Sequence, residues 1–172
     1  RKVVQICLKK IRRKRSCQTM FEFEKIELRL PHYARGESVK GFGRGSRELG
    51  FPTANFSEEV IEKLPSELVG GIYFGFAKVE DGPVNDMVMS IGWNPFYKNE
   101  KRAMETHIIH EFEGDLYGKM LSVIIVGFLR PEENYDSLEK LIDAINNDIK
   151  NGQTNNKEEK CAKHKTDPFF NS

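Results

Sequence analysis

The sequence predicts a mainly β domain, an antiparallel sheet or small barrel, followed by one helix. Four short runs rich in aromatic and β-branched residues are separated by polar loops, which is typical of antiparallel strands. These runs span 71–79, 87–91, 104–112 and 120–129. The turn pairs Asp81-Gly82 and Gly114-Asp115 lie between them. An apolar stripe at helical spacing appears only after the last of these strands.

The helix is predicted from apolar residues that recur on one helical face. They are Leu138, Leu141, Ile142, Ile145 and Ile149. Asp136 with Glu139 three residues later resembles a capping box, and Gly152 predicts the end of the helix. We expect the stripe to pack on the sheet. The polar, Lys-rich residues after Gly152 are expected to be mobile.

Composition and charge limit the classes of function. The chain has 172 residues, 38% of them hydrophobic and 31% charged, which suits one soluble domain with its own core. Residues 1–15 contain eight Lys or Arg and no acid, which leaves 19 basic against 26 acidic residues in the rest. A body with this acidic excess is unfavourable for general nucleic-acid binding. The three scattered cysteines indicate neither a zinc site nor a disulfide framework.

The basic segment at the start of the sequence has three interpretations that the residues alone do not separate. Within 1–27 it is a solvated extension, an Arg-rich organelle transit segment, or a nuclear-localisation or polyanion-binding patch through KKIRRKR.

The stretch GFGRGSRELGFPTANF at 41–56 carries the clearest chemical signal. Glycines let backbone N–H groups approach a phosphate, and Arg44 and Arg47 add positive charge. The Thr53 hydroxyl and the Asn55 amide oxygen are hard donors of the kind that Mg²⁺ accepts. The glycines alone also fit an ordinary turn, because they match neither of the common nucleotide-binding glycine patterns.

The run METHIIH at 104–110 places its residues alternately on two faces of a strand. Met104 and Ile108 mark the packed face, so Glu105 points to the other side. His107 and His110 fall on opposite faces and are not expected to share a metal ion. From these residues alone, Glu105 is an ordinary solvent-side glutamate.

Three stretches together resemble the riboflavin kinase (flavokinase) family in its eukaryotic form. They are GFGRGSRELGFPTANF, SIGWNPFYKNEKRAMETHIIHEF and FLRPEENYDSLEKLIDAI, and the similarity runs from about residue 30 to about residue 150. The resemblance implies a six-stranded antiparallel Greek-key barrel with a C-terminal helix. It also implies transfer of the γ-phosphoryl group of ATP to the ribityl 5′-hydroxyl of riboflavin, giving FMN and ADP. The implied division is a basic extension at 1–27, a kinase domain at 28–152 and a polar tail at 153–172.

The resemblance also implies roles for individual residues. Glu105 matches the catalytic carboxylate, and Thr53 and Asn55 match the ligands of Mg²⁺, with Zn²⁺ or Mn²⁺ as alternatives. The nucleotide is assigned to Gly41, Gly43, Arg47, Thr53, Ile108, His110 and Tyr117. The flavin is assigned to Arg130, Glu133 and Tyr135. Arg47 and Glu133 each stand where a Lys is expected, which leaves their contacts open.

Thr53, Asn55 and Glu105 are therefore expected to converge. The expected partners are riboflavin or FMN and ATP or ADP, without nucleic acid or membrane, and the expected state is a cytoplasmic monomer. Targeting to mitochondria or another organelle is the alternative that the basic segment allows. The rival functions are a non-catalytic flavin- or nucleotide-binding barrel and a nucleic-acid-binding barrel that uses the basic segment. No second, nucleotidyl-transferring domain is expected within these residues.

Overall fold

The computed structural model describes residues 24–40, 49–93 and 102–172. The predicted nucleotide residues Gly41, Gly43 and Arg47 lie outside these ranges, as does most of the basic segment.

Within these ranges, six strands close into an antiparallel barrel in the order β1-β2-β5-β4-β3-β6. The strands are β1 (His32–Val39), β2 (Ala54–Phe56), β3 (Gly71–Val79), β4 (Asn85–Trp93), β5 (Arg102–Ile108) and β6 (Met120–Arg130). The pairing of β2 with β5 passes over the β3–β4 hairpin, which gives the Greek-key connection. The predicted six-stranded barrel with a C-terminal helix is confirmed.

Alternation along the strands separates a packed interior from an outer face. Tyr73, Met89, Thr106 and Ala54 are successive register partners across four strands, and each is at most 3% exposed. Their sequence neighbours therefore point outward. This places Glu105 on the outer face, as the alternation in METHIIH predicts.

A short helix lies within the run of strands, and a long helix follows the last strand. The short α1 (Glu58–Ile61) lies between β2 and β3, and the long α2 (Leu138–Asn156) follows β6. The N-cap of α2 is Ser137, whose hydroxyl accepts the Lys140 N–H at 3.3 Å. The predicted capping role of Asp136 is wrong, because its carboxylate instead pairs with Lys140 Nζ at 2.7 Å.

Gly152 does not end the helix, contrary to the sequence prediction. It lies within α2 and is buried where the helix crosses the barrel. A Cβ atom at this position would lie 2.9 Å from Val88 Cγ1 and 3.3 Å from Phe74 Cβ. The glycine is therefore explained by close packing of the helix on the sheet, not by helix termination.

The predicted face of α2 is right, but its most buried residues are not the predicted ones. Asp148, Gly152 and Asn156 are buried, and they fall within the same arc of about 120° as the apolar stripe. The Asn156 side-chain amide donates to the Gly75 carbonyl at 2.9 Å. The helix is thus anchored to the barrel by polar and small residues.

The residues after α2 pack on the barrel, so the prediction of a mobile tail is wrong. They form α3 (Glu159–Ala162) and two 3₁₀ turns, Lys163–Thr166 and Pro168–Asn171. Phe170 is 3% exposed and packs with Phe76 and Ile124. Lys78 Nζ donates to the Phe170 carbonyl at 2.8 Å, and the Arg35 guanidinium donates to the Phe169 carbonyl.

None of the helices in the described ranges is both long and apolar enough to cross a membrane.

Candidate active site

Glu105 and Asn55 are direct neighbours on the outer face of the barrel. They are register partners where β2 pairs with β5. Side chains of directly opposed residues start about 4.5–5.5 Å apart at their Cβ atoms, so these two groups reach the same small volume. The expected convergence of the PTAN and METHI motifs is confirmed for this pair.

Thr53 lies two residues before Asn55, immediately ahead of β2. His107 holds this segment against β5, because its Nδ1–H donates to the Pro52 carbonyl at 2.9 Å. The His107 ring also packs edge-on against the ring of Phe51, with centroids 5.8 Å apart. His107 therefore acts as a structural histidine that orders the threonine–asparagine motif beside Glu105.

The outer face extends from these residues across the barrel in one continuous row. Glu105 is the partner of Ser90 on β4, Ser90 is the partner of Ile72 on β3, and Ile72 is the partner of Arg130 on β6. The register thus links Asn55 at one side of the row to Arg130 at the other. Glu105 lies between the residues predicted for metal and those predicted for flavin.

The loops beside this row emerge at opposite ends of the barrel. Segments 49–53 and 109–119 flank the end where β1 and β5 finish. Segment 131–137 follows β6 at the other end, where β4 also finishes. The predicted nucleotide residues His110 and Tyr117 belong to the first pair of segments, directly after Ile108, and the predicted flavin residues Glu133 and Tyr135 belong to segment 131–137, directly after Arg130. Glu105 lies near the middle of β5.

The three predicted nucleotide residues near the end of β5 differ in what they offer. The Ile108 side chain is 4% exposed and belongs to the barrel core, so only its backbone remains for a ligand. His110 is exposed and packs edge-on against Phe112, with ring centroids 4.7 Å apart. Tyr117 is 44% exposed in the following loop.

Arg130 is held by an acidic residue that sequence reasoning missed. Its Nε and Nη2 groups donate to the two carboxylate oxygens of Asp148 at 2.8 and 2.6 Å. This bidentate pair raises the pKa of Arg130 above its ordinary value. Asp148 lies on the buried side of α2, and a charge at that position of an apolar stripe is the signal that could have identified it.

Glu133 and Tyr135 contact each other within the segment that joins β6 to α2. The Tyr135 hydroxyl donates to Glu133 Oε2 at 3.0 Å, and Arg130 Nη1 lies 3.7 Å from the same oxygen. Desolvation and this hydrogen bond raise the pKa of Tyr135. In place of the expected Lys, Glu133 therefore joins a small polar cluster around Arg130.

The first half of α2, which follows this segment directly in the chain, leaves apolar side chains open to solvent. Leu138 is 57% exposed, and Leu141, Ile142 and Ile145 are half-buried. On β6, the side chains of Phe128 and Leu129 are instead engaged in packing. Phe128 stacks edge-on against Tyr73, and Leu129 packs with the cluster around Phe74. The open apolar surface thus belongs to the helix.

The donors beside Glu105 suit a hard divalent cation. Across the described ranges, no group of three or more His, Cys, Asp or Glu side chains is arranged to hold a metal ion. The Thr53 hydroxyl and the Asn55 amide oxygen would provide two oxygen ligands, and Asn55 is only 6% exposed. Mg²⁺ is commonly held by few protein oxygens together with phosphate and water, so these residues fit it.

Comparisons with known proteins identify the family and agree with the fold. The Flavokinase family model, described as riboflavin kinase, matches residues 28–155. The chain is 55% identical over 141 residues to the riboflavin kinases of Homo sapiens and Mus musculus, covering 82% of this chain and 91% of each relative. The crystal structure of riboflavin kinase from Trypanosoma brucei matches with a TM-score of 0.66 over 81% of this chain and 88% of that one. At 24% identity, that structure supports the fold alone. The chain belongs to the riboflavin kinase family of enzymes.

Proposed function

We propose that this protein transfers the γ-phosphoryl group of ATP to the 5′-hydroxyl of the riboflavin ribityl chain, releasing FMN and ADP. The observation that supports this most directly is the outer-face row from Asn55 through Glu105 to Arg130. It has the predicted nucleotide residues Ile108, His110 and Tyr117 at one end of the barrel and the predicted flavin segment at the other. An acceptor and a donor entering from opposite ends meet near Glu105.

Glu105 is the proposed general base. As the 5′-hydroxyl oxygen bonds to the γ-phosphorus, the bond from that phosphorus to the β,γ-bridging oxygen breaks, and the hydroxyl proton passes to the Glu105 carboxylate. The β-strand holds Glu105 between Asn55 and Ser90, which restricts the directions that its side chain takes. Positioning and charge neutralisation dominate phosphoryl transfer, so a rigid support for the base matters.

Thr53 and Asn55 are the proposed protein ligands of Mg²⁺, with Zn²⁺ or Mn²⁺ as alternatives. The bound cation supplies neutralisation of charge on the phosphate oxygens. His107 orders these two residues through the Pro52 carbonyl. The proposed nucleotide site also includes Tyr117, His110 and the backbone of Ile108, together with Gly41, Gly43 and Arg47.

The flavin is proposed to bind between the outer face and the first half of α2. Its flat, largely apolar ring suits the half-exposed Leu141, Ile142 and Ile145. Arg130, Glu133 and Tyr135 provide polar groups at the edge of this surface. Arg130 is already engaged with Asp148, so it acts in the proposed site as a group whose position is fixed beforehand.

The chain is further proposed to act as a cytoplasmic monomer, with organelle targeting through the basic segment as the alternative. The proposed kinase domain covers 28–152, preceded by an extension at 1–27. The proposed C-terminal segment at 153–172 packs on the barrel.

The direct test is incubation with riboflavin and ATP, followed by chromatographic detection of FMN and ADP. We expect equal amounts of both products with Mg²⁺ and none after chelation with EDTA. Replacing Mg²⁺ by Zn²⁺ or Mn²⁺ in parallel ranks the cations. Riboflavin binding without FMN formation under any cation would contradict the proposal and identify a flavin-binding protein. FMN formed at full rate in EDTA would contradict the metal role.

A further inference from the structure

A second carboxylate lies on the outer face, seated on two glycines. A Cβ atom on Gly92 would lie 2.3 Å from Glu132 Oε1, and a Cβ atom on Gly70 would lie 2.9 Å from Glu132 Oε2. Gly71 is the register partner of Ile91, so Gly70 and Gly92 continue the β3–β4 ladder as the next opposed pair. We call this pair the glycine seat. Neither position tolerates a side chain while Glu132 keeps its place.

The glycine seat adjoins the row that contains Glu105. Gly92 follows Ser90 by two residues on β4, and Ser90 is the partner of Glu105. Alternate residues of a strand share one face and are about 7 Å apart. The Glu132 carboxylate therefore lies on the same outer face as Glu105. It is displaced by two residues along β4, towards the end of the barrel where segment 131–137 emerges.

Segment 131–137 and its flanking residues make contacts with α2, within the segment itself and with the barrel. Arg130, just before the segment, is tied to α2 through Asp148, and Ser137, at its end, caps the same helix. Glu133 and Tyr135 bond to each other within the segment. The Glu132 carboxylate lies instead against the two glycines at the ends of β3 and β4, so it brings the segment into contact with the outer face of the barrel. Glu132 is itself solvent-exposed, so its contact contributes little to the free energy of unfolding.

We propose that Glu132 is a positioning residue for the flavin acceptor. By seating on Gly70 and Gly92, it holds segment 131–137 in the binding position before the flavin arrives. This inference rests on the proposed function and adds to it a residue outside the predicted flavin set. A loop that is already ordered loses less conformational entropy when the ligand binds. We therefore expect Glu132 to affect the affinity for flavin.

The first test compares Glu132→Ala with wild type in steady-state kinetics. We expect KM for riboflavin to rise by about tenfold, because the segment must then be ordered by the ligand itself. KM for ATP and kcat should stay within about twofold. Glu159→Ala, an exposed glutamate on α3, is the matched control and should change neither constant.

The second test uses the seat itself. Gly92→Ala displaces the carboxylate without removing it, so it should raise the riboflavin KM as Glu132→Ala does. In the double variant Glu132→Ala/Gly92→Ala, the added Cβ atom no longer meets a carboxylate. The riboflavin KM of this double variant should therefore equal that of Glu132→Ala alone. Thermal unfolding of each variant checks that the barrel is intact, and Gly70→Ala is the milder substitution if Gly92→Ala does not fold.

Three outcomes would overturn the inference. They are an unchanged riboflavin KM in Glu132→Ala, equal rises in both KM values together with a lower melting temperature, and multiplying effects in the double variant. If wild-type protein makes no FMN, the proposed function fails separately. Quenching of riboflavin fluorescence in the same variants then decides the role of Glu132, and an absence of quenching in wild type would overturn both proposals.

Discussion

The two halves of α2 present the same face to the barrel but are covered to different extents. In the second half, the buried residues are Asp148, Gly152 and Asn156, two of them polar and one without a side chain. In the first half, Leu138 is 57% exposed, although it is apolar. The helix therefore buries polar groups where it is anchored and exposes apolar groups in the half that follows the predicted flavin segment.

This reversal of the usual burial pattern, with polar residues buried and apolar residues exposed, indicates that the two halves of α2 have different roles. In the anchored half, Asp148 pairs with Arg130 and Asn156 Nδ2 donates to the Gly75 carbonyl, while the buried Asn156 Oδ1 has no hydrogen-bond partner among the described residues. Buried polar groups of this kind fix one docking position, because other positions would leave them unpaired. The open half keeps an apolar surface directly after segment 131–137, which contains Glu133 and Tyr135. A flat apolar ligand would complete the coverage that the chain itself does not provide.

The largest expected effect lies on the open side. Glu105→Gln keeps the shape of the side chain and removes the proton acceptor, so we expect kcat to fall by about 10²–10⁴-fold. Melting temperature and riboflavin affinity should be unchanged. Stopped-time FMN assays and thermal unfolding provide the two measurements. Turnover close to that of wild type would remove Glu105 from the role of base.

The next effect tests the anchored half. Asp148→Ala leaves the Arg130 guanidinium, whose side chain is 22% exposed, without its bidentate partner. We expect the free energy of unfolding to fall by about 2–3 kcal/mol, somewhat less than for a fully buried pair. Asp143→Ala, exposed on the same helix, should change it by less than about 0.5 kcal/mol. Urea unfolding of both variants measures the difference. Equal losses of unfolding free energy in the two variants would show that the Asp148–Arg130 pair does not anchor the helix.

A pair of isoleucines separates the two halves most cleanly. Ile149 packs with Phe74, Val88 and Cys161, whereas Ile142 lies on the open half. Ile149→Ala should lower the free energy of unfolding by about 2 kcal/mol and leave riboflavin KM unchanged. Ile142→Ala should cost about 1 kcal/mol or less and raise riboflavin KM by about fivefold. The same loss of unfolding free energy and the same riboflavin KM in both variants would show that the two halves of α2 do not differ in role.

The smallest effect concerns the crossing point of the helix. Gly152→Ala gains helix propensity but brings a Cβ atom to 2.9 Å from Val88 Cγ1. Because Val88 is stiff and buried, we expect a net loss of about 1 kcal/mol. Asn146→Ala, at an exposed position of α2, should be neutral or slightly stabilising. Chemical unfolding compares them, and a stabilised Gly152→Ala variant would show that the contact relaxes freely.

Local patterns predicted much of the barrel but not the docking of its surroundings. The four predicted strands correspond to β3, β4, β5 and β6, because each is long and rich in aromatic or branched residues. The short β2 and the mixed pattern of β1 gave no such signal. The mobile-tail prediction failed because Phe169 and Phe170 are anchored by residues far away in sequence, Arg35 and Lys78.

The sequence by itself determined the type of fold and the outward side of Glu105, because strand and helix periodicity are local properties. Only the tertiary structure decided that Asn55 and Glu105 are partners, that Asp148 holds Arg130, and that Glu132 rests on Gly70 and Gly92. Each of these contacts joins residues that are brought together by strand register or helix docking. Register and docking depend on the summed packing of the whole barrel, which no short stretch of sequence encodes.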